Sequence, residues 1–147
     1  MEKNRESSIS TNSPVYQFAI SLQKSSDQFF EEFPNPVWIV DLKGRFVFFN
    51  KAAEKLIEYQ RDEILGKHFR MLLTLDDLSD GFLFLYQTLN GCYSEHTLFR
   101  IRKKGGSTRV VDVMAAPLYF DGKVRAGLAI AQDITGIDFG VSEHISR

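Results

Sequence analysis

Apolar residues recur at spacings of three and four near the start of the chain, where Val15, Phe18, Ala19, Leu22, Phe29, Phe30 and Phe33 fall on one face. That period predicts an amphipathic helix over 13–33, opened by Ser13-Pro14 and stopped by Pro34 and Pro36. Beyond the prolines the period drops to two. The runs VWIVDL (37–42) and RFVFFN (45–50) flank Lys43-Gly44 and read as a hairpin. Asn50 is placed to cap a helix in KAAEKLIEY, whose Ala52, Ala53, Leu56 and Ile57 share a side. RDEIL reads as a second short helix ending at Gly66, and residues 76–90 as a third. In that third helix Asp76 and Asp77 sit at the positive end, Phe82, Leu85, Tyr86 and Leu89 line one side, and Gly91 closes it. The remainder alternates in three runs, 96–103, 107–119 and 123–134, divided by Gly105-Gly106 and Asp121-Gly122, and Asp-Gly between alternating runs is a hairpin signature.

Helix, two strands, short helices and a three-stranded meander make an α+β domain with a five-stranded antiparallel sheet. The last strand has unequal faces: Val124, Ala126, Leu128 and Ile130 alternate with Arg125, Gly127, Ala129 and Ala131. The bulky face is expected in the core. The small face lets another element approach closely, either the 13–33 helix or a partner subunit. Phe46, Phe48 and Phe49 crowd one short strand on both faces, which points to a second buried surface outside the sheet.

Charge narrows the function classes. Eighteen basic residues against 19 acidic give a net charge of -1, so no long-range field collects phosphates, and nucleic-acid binding is not expected. Arg100, Arg102, Lys103 and Lys104 form one basic cluster beside a turn, read as a solvated hairpin tip. The single cysteine, Cys92, cannot form an internal disulfide and favours a reducing compartment. No apolar run is long enough for a membrane span, and the polar residues 1–12, read as a disordered lead-in, contain no signal-peptide core. A cytoplasmic protein or module with no membrane contact by this segment is the expectation.

From about Ser25 to Thr135 the chain resembles the PAS sensor domains. The resemblance is carried by FPNPVWIVDLKGRFVFFNKAAEKLIEYQRDEILGKHF, by KKGGSTRVVDVMAAPLYFDGKVRAGLAIAQ, and by the closing Asp133-Ile134-Thr135. It implies a sheet of order 2-1-5-4-3 cupping a cavity against the short helices, with residues 34–135 as the domain and 13–33 as an N-terminal cap helix. It also implies a sensor or dimerisation module of a signal-transduction protein, such as a histidine kinase, cyclic-dinucleotide enzyme or transcription regulator, working with an effector domain in cis or trans. A homodimer through Val15, Phe18, Leu22, Phe29 and the outer sheet face is expected on the same ground. Departures are Glu58-Tyr59 for the usual Gly-Tyr, Lys104-Gly105-Gly106 for Lys-Asp-Gly, and a tail, 136–147, without the heptads of a signalling helix.

Within that family the flavin branch that reacts through a cysteine has its thiol where Phe69 stands here, and its flavin-contacting glutamine falls at Ala131. Covalent flavin photochemistry is not expected. Trp38 and Tyr86 are the aromatic candidates for a non-covalent flavin. Haem is not expected either, because 76–90 contain no histidine, and His68, His96 and His144 lie elsewhere. No cluster has metal-site spacing, and Asp41, Asp112 and Asp133 form no nucleophile, base and orienter arrangement, so no enzyme is expected. The ligand-pocket candidates, assigned by sheet parity and helix face, are Ile39, Phe48, Phe69, Leu72, Phe82, Tyr86, Phe99, Ile101, Leu128 and Ile130. Asp133, Thr135 and Asp41 are the signal-relay candidates, with Asp133 or Thr135 linked to Asp41's turn or to a nearby Arg or Lys. The abundance of Phe also admits a filled core, in which the domain serves as a ligand-free dimerisation scaffold.

Overall fold

The computed structural model describes residues 30–137. The lead-in, most of the 13–33 helix with Val15, Phe18, Leu22 and Phe29, and residues 138–147 lie outside the described residues. Five strands, β1 (Val37–Asp41), β2 (Phe46–Phe49), β3 (Ser94–Arg102), β4 (Thr108–Phe120) and β5 (Lys123–Asp133), form one antiparallel sheet in the order β2-β1-β5-β4-β3. Between β2 and β3 run α1 (Lys51–Ile57), α2 (Arg61–Ile64), two 3-10 turns (Phe69–Leu72 and Leu75–Asp77) and α3 (Leu78–Leu89). The Asp121-Gly122 corner holds both residues at positive φ, 57° and 74°, the primed geometry that matches strand twist.

Asn50 does more than cap α1. Fully buried, it accepts at Oδ1 from the Val37 and Ala53 amides, both at 3.0 Å, and donates from Nδ2 to the carbonyls of Phe30 (2.8 Å) and Asn35 (3.1 Å). One side chain therefore ties β1, the start of α1 and the incoming N-terminal segment together, with its hydrogen-bonding capacity used.

The sheet separates two apolar clusters. On the inner face Phe46, Phe49, Phe99, Ile101, Val111, Val113, Ala129 and Ala131 pack with Ala53, Ile57 and Ile64 of the helical side. On the outer face Val37, Ile39, Val47, Phe48 and Ala126 pack with Leu118, Leu128, Ile130 and the N-terminal Phe30 and Phe33. The faces of β5 are thus the reverse of the expectation: the small side chains point into the core and the bulky ones outward. The reason is the closeness of α3. A Cβ built on Gly127 would stand 3.2 Å from Thr88 Cγ2, so larger residues there would push the helix off the sheet. The bulky face lies instead under residues 30–33, where Phe30 meets Phe48 edge-on at 6.2 Å.

The basic cluster is largely matched by acids from the helical side, through Lys103–Glu58 (3.0 Å), Lys104–Glu63 (2.7 Å) and Arg100–Asp77 (3.0 Å). Among the described residues no helix is long and apolar enough to cross a membrane.

Candidate functional site

A partly enclosed cavity of about 80 Å³ lies between α3 and the inner face of the sheet. Val40, Val113, Ala115, Gly127 and Ala129 line the sheet side; Gly81, Phe84, Leu85 and Thr88 line the helix side; Trp38, Phe46, Phe69 and Phe99 stand around it. Two features of α3 shape its packing beside the cavity. Gly81 is packed so tightly that a Cβ would fall 2.3 Å from Leu73 Cδ1, and Thr88 turns its buried hydroxyl back to the Phe84 carbonyl at 2.9 Å. The start of α3 is fastened to β3 by Asp77, whose buried carboxylate accepts from the Arg100 amide (2.6 Å) and from Arg100 Nη2 (3.0 Å).

Of the ten pocket candidates, Phe69, Leu72, Phe99 and Ile101 line this cavity, and Leu128 borders it between Gly127 and Ala129 while its side chain packs with the outer cluster. Ile39, Phe48 and Ile130 belong to the outer cluster. For Phe48 the cause is local: Val47 and Phe48 both face outward across a register shift between β1 and β2, which breaks the alternation. Ile39 pairs with Phe48 and Leu128, so it shares their face. Phe82 and Tyr86 lie on the solvent side of α3, 42% and 66% exposed, one helical face away from Gly81, Leu85 and Thr88. Apolar residues run nearly all round that helix, so apolar spacing does not mark its inner side. The small residues Gly81 and Thr88 do, because small side chains permit close approach.

The relay candidates occupy opposite ends of the sheet. Asp133 accepts from Arg109 at 2.7 Å and from the Thr135 hydroxyl (2.7 Å) and amide (3.0 Å), and Thr135 in turn accepts from the Val110 amide at 2.8 Å. Burial pushes the Asp133 carboxyl up, but the Thr135 and Arg109 hydrogen bonds outweigh it and hold the group below its ordinary range. Asp41 sits at the other end of β5's neighbour, opposite Ala126, accepting from the Lys43 and Arg45 amides (2.9 Å each) and from Arg45 Nε (3.1 Å). The expected link from Asp133 or Thr135 to Asp41's turn is therefore absent, because antiparallel pairing sends the two aspartates apart; each has its own arginine.

Two histidines differ in the same way. His68, on the helical side, stacks on Phe69 (4.6 Å) and lies tilted against Phe82 (5.5 Å), and its Nδ1 accepts from the Arg70 amide at 3.1 Å. Burial, then the charge of Arg70, lowers its pKa. His96 is exposed and bonded to Asp112 at 2.9 Å, which raises its pKa. Cys92 is exposed, and among the described residues no group of His, Cys, Asp and Glu is close enough to hold a metal ion.

A family model described as the PAS fold matches residues 26–134. The chain belongs to the PAS family. A PAS domain is a signal-sensing module, often a part of histidine kinases. No curated protein matches the chain. Solved structures do. The PAS domain of a Colwellia psychrerythraea protein is 22% identical with a TM-score of 0.70, covering 78% of this chain and 98% of its own. A domain of a sensory box sensor histidine kinase/response regulator from Geobacter sulfurreducens is 23% identical with a TM-score of 0.63, covering 84% and 100%. An RNA-binding Light-Oxygen-Voltage receptor is 20% identical with a TM-score of 0.68, covering 78% of this chain and 34% of its own. At these identities the likeness shows the fold.

The cavity of this PAS domain does not fit a flavin or haem. Its volume is far below the roughly 300–1,000 Å³ of pockets that enclose drug-sized ligands. Tyr86, the second aromatic candidate for a flavin, points to solvent.

Proposed function

We propose that this PAS domain is the sensory and relay module of a cytoplasmic signal-transduction protein, of the histidine kinase, cyclic-dinucleotide enzyme or transcription regulator type, and that it works by binding rather than turnover. Its input is occupancy of the inner cavity. The observation that supports this is the cavity that remains beside the small residues of β5, Gly127 and Ala129, where α3 packs closely on the strand. A well-packed interior leaves few voids larger than a water molecule, so a space that persists between a helix and a sheet packed this closely at Gly81 and Gly127 is a feature rather than slack.

A molecule in that space pushes α3 away from β5. The same strand runs on to Asp133, beside Thr135 and Arg109, where the domain meets whatever follows it. NMR of the full chain tests the relay. Filling the cavity by Ala129→Leu is expected to shift the amide resonances of Val110 and Thr135, roughly 20 Å along the strand at about 3.3 Å per residue. Shifts confined to residues touching position 129 would contradict it.

The outer face favours a second role in homodimerisation. Met114, on the outward side of β4 between the inward Val113 and Ala115, is 43% exposed beside a cluster already apolar. Met114→Glu is expected to turn a dimer into a monomer in light scattering; a wild-type chain monomeric at high concentration would count against this role.

A further inference from the structure

We propose that the molecule this cavity takes is uncharged, apolar and compact, a single aromatic ring or a hydrocarbon of similar size. The inference rests on the reading of the cavity as the input site and names the chemistry of the input.

Polarity comes first. None of the side chains around the cavity is ionisable, and the one hydroxyl among them, on Thr88, has its proton committed to the Phe84 carbonyl at 2.9 Å. The backbone of the sheet side is engaged in strand pairing, Val40 with Gly127, and Ala129 with both Trp38 and Ala115. A carboxylate, phosphate or ammonium would give up its hydration here and find no charged partner. An amide or hydroxyl group would meet at best the spare lone pair of Thr88 and the indole N–H of Trp38.

Size and shape come next. An apolar cavity of roughly 150 Å³ stays dry and takes up benzene. At about 80 Å³ the present space is smaller than that, so a six-membered ring needs the helix side to give. That side is the one able to do so, because Phe84 and Leu85 are only partly buried whereas the sheet side is backbone locked in ladders. Five aromatic side chains, Trp38, Phe46, Phe69, Phe84 and Phe99, surround the space, with Phe84 and Phe99 already edge to face at 5.2 Å. Rings prefer this kind of setting, since offset and edge-on contacts add to plain burial.

Trp38 is the chain's one tryptophan and stands at the cavity, which makes its fluorescence a direct reporter. Toluene added to the full chain, with excitation confined to tryptophan, is expected to change Trp38 emission with saturation and to raise Tm by several degrees, while flavin mononucleotide and octanoate do neither. Ala129→Leu is expected to abolish the toluene response; should that variant fail to fold, Ala115→Val fills the same space more gently. Saturable binding of flavin mononucleotide or octanoate that Ala129→Leu removes would overturn the ligand class and leave the sensory reading standing. A toluene response unchanged in both variants would place binding elsewhere and overturn the proposal. No response to any of the three, together with no Val110 or Thr135 shift on filling the cavity, would overturn the class and the sensory reading together.

Discussion

The two faces of β5 are built from alternating residues of one strand, yet they solve different problems. Outward, Ala126, Leu128 and Ile130 join Ile39 and Phe48 in one apolar cluster under Phe30 and Phe33. Inward, Gly127 and Ala129 give up side-chain volume so that α3 lies close while a gap remains. The outer face resembles an ordinary sandwich of sheet and cover, stabilised by area buried. The inner face forgoes part of that stabilisation to keep a cavity, and a protein keeps such a cost where it serves function. Apolar character therefore does not mark the cavity side of this sheet, since both faces have it; the distribution of side-chain volume does.

The largest effect is expected in the inner core beside the cavity. Phe49 is fully buried, stacked on Trp38 at 6.0 Å and edge-on to Phe46 at 5.3 Å. Phe49→Ala is expected to destabilise by about 3–5 kcal/mol in urea denaturation. A loss under about 1 kcal/mol would mean that the inner cluster is not what holds the fold.

Next is the joint between the faces. Asn50→Ala strands two amides and two carbonyls and removes the cap of α1, an expected loss of about 2–4 kcal/mol. Limited proteolysis should then cut within 30–36 before any other described segment. Cutting first in the β3–β4 hairpin would show that Asn50 does not fasten the N-terminal segment.

The smallest effects are on pH dependence, where the histidines have opposite signs. The His68 pKa is lowered in the folded state, so its contribution is present above about pH 6.5, the unfolded value, and fades as pH falls through the folded one. The His96 pKa is raised by Asp112, so its contribution is present below about 6.5 and fades as pH rises through its folded value. His68→Gln should flatten the acid side of a Tm-against-pH curve and His96→Asn the neutral side. Identical curves for the two variants would refute the assignment.

Much of the architecture is legible in the residues. The turns at Lys43-Gly44, Gly105-Gly106 and Asp121-Gly122, the cap at Asn50 and the alternation of the last three strands lead to the observed order of elements. The cavity is legible only in part, for reasons of symmetry and packing. Where both faces of a strand are apolar, alternation separates two sets without saying which is inside, and so Ile39, Phe48 and Ile130 fall on the wrong side. The turn of α3 that reads FLFLY in sequence has no polar face to orient it, which misplaces Phe82 and Tyr86. Gly81, Thr88 and Gly127 carry the missing signal, because small residues inside elements mark close approach. Asp77 reads as a helix-end charge, and its bond to Arg100, 23 residues on, depends on tertiary structure alone.

The most direct test of the two-faced strand is one substitution made on each face. Ala126 is fully buried in the outer cluster and Ala129 borders the cavity. Thermal unfolding should show Ala126→Leu destabilised by about 1–3 kcal/mol through overpacking, and Ala129→Leu unchanged or stabilised by up to about 2 kcal/mol through filling of the cavity. An Ala129→Leu variant that loses as much stability as Ala126→Leu would contradict this, since it would mean that the inner face holds no usable space.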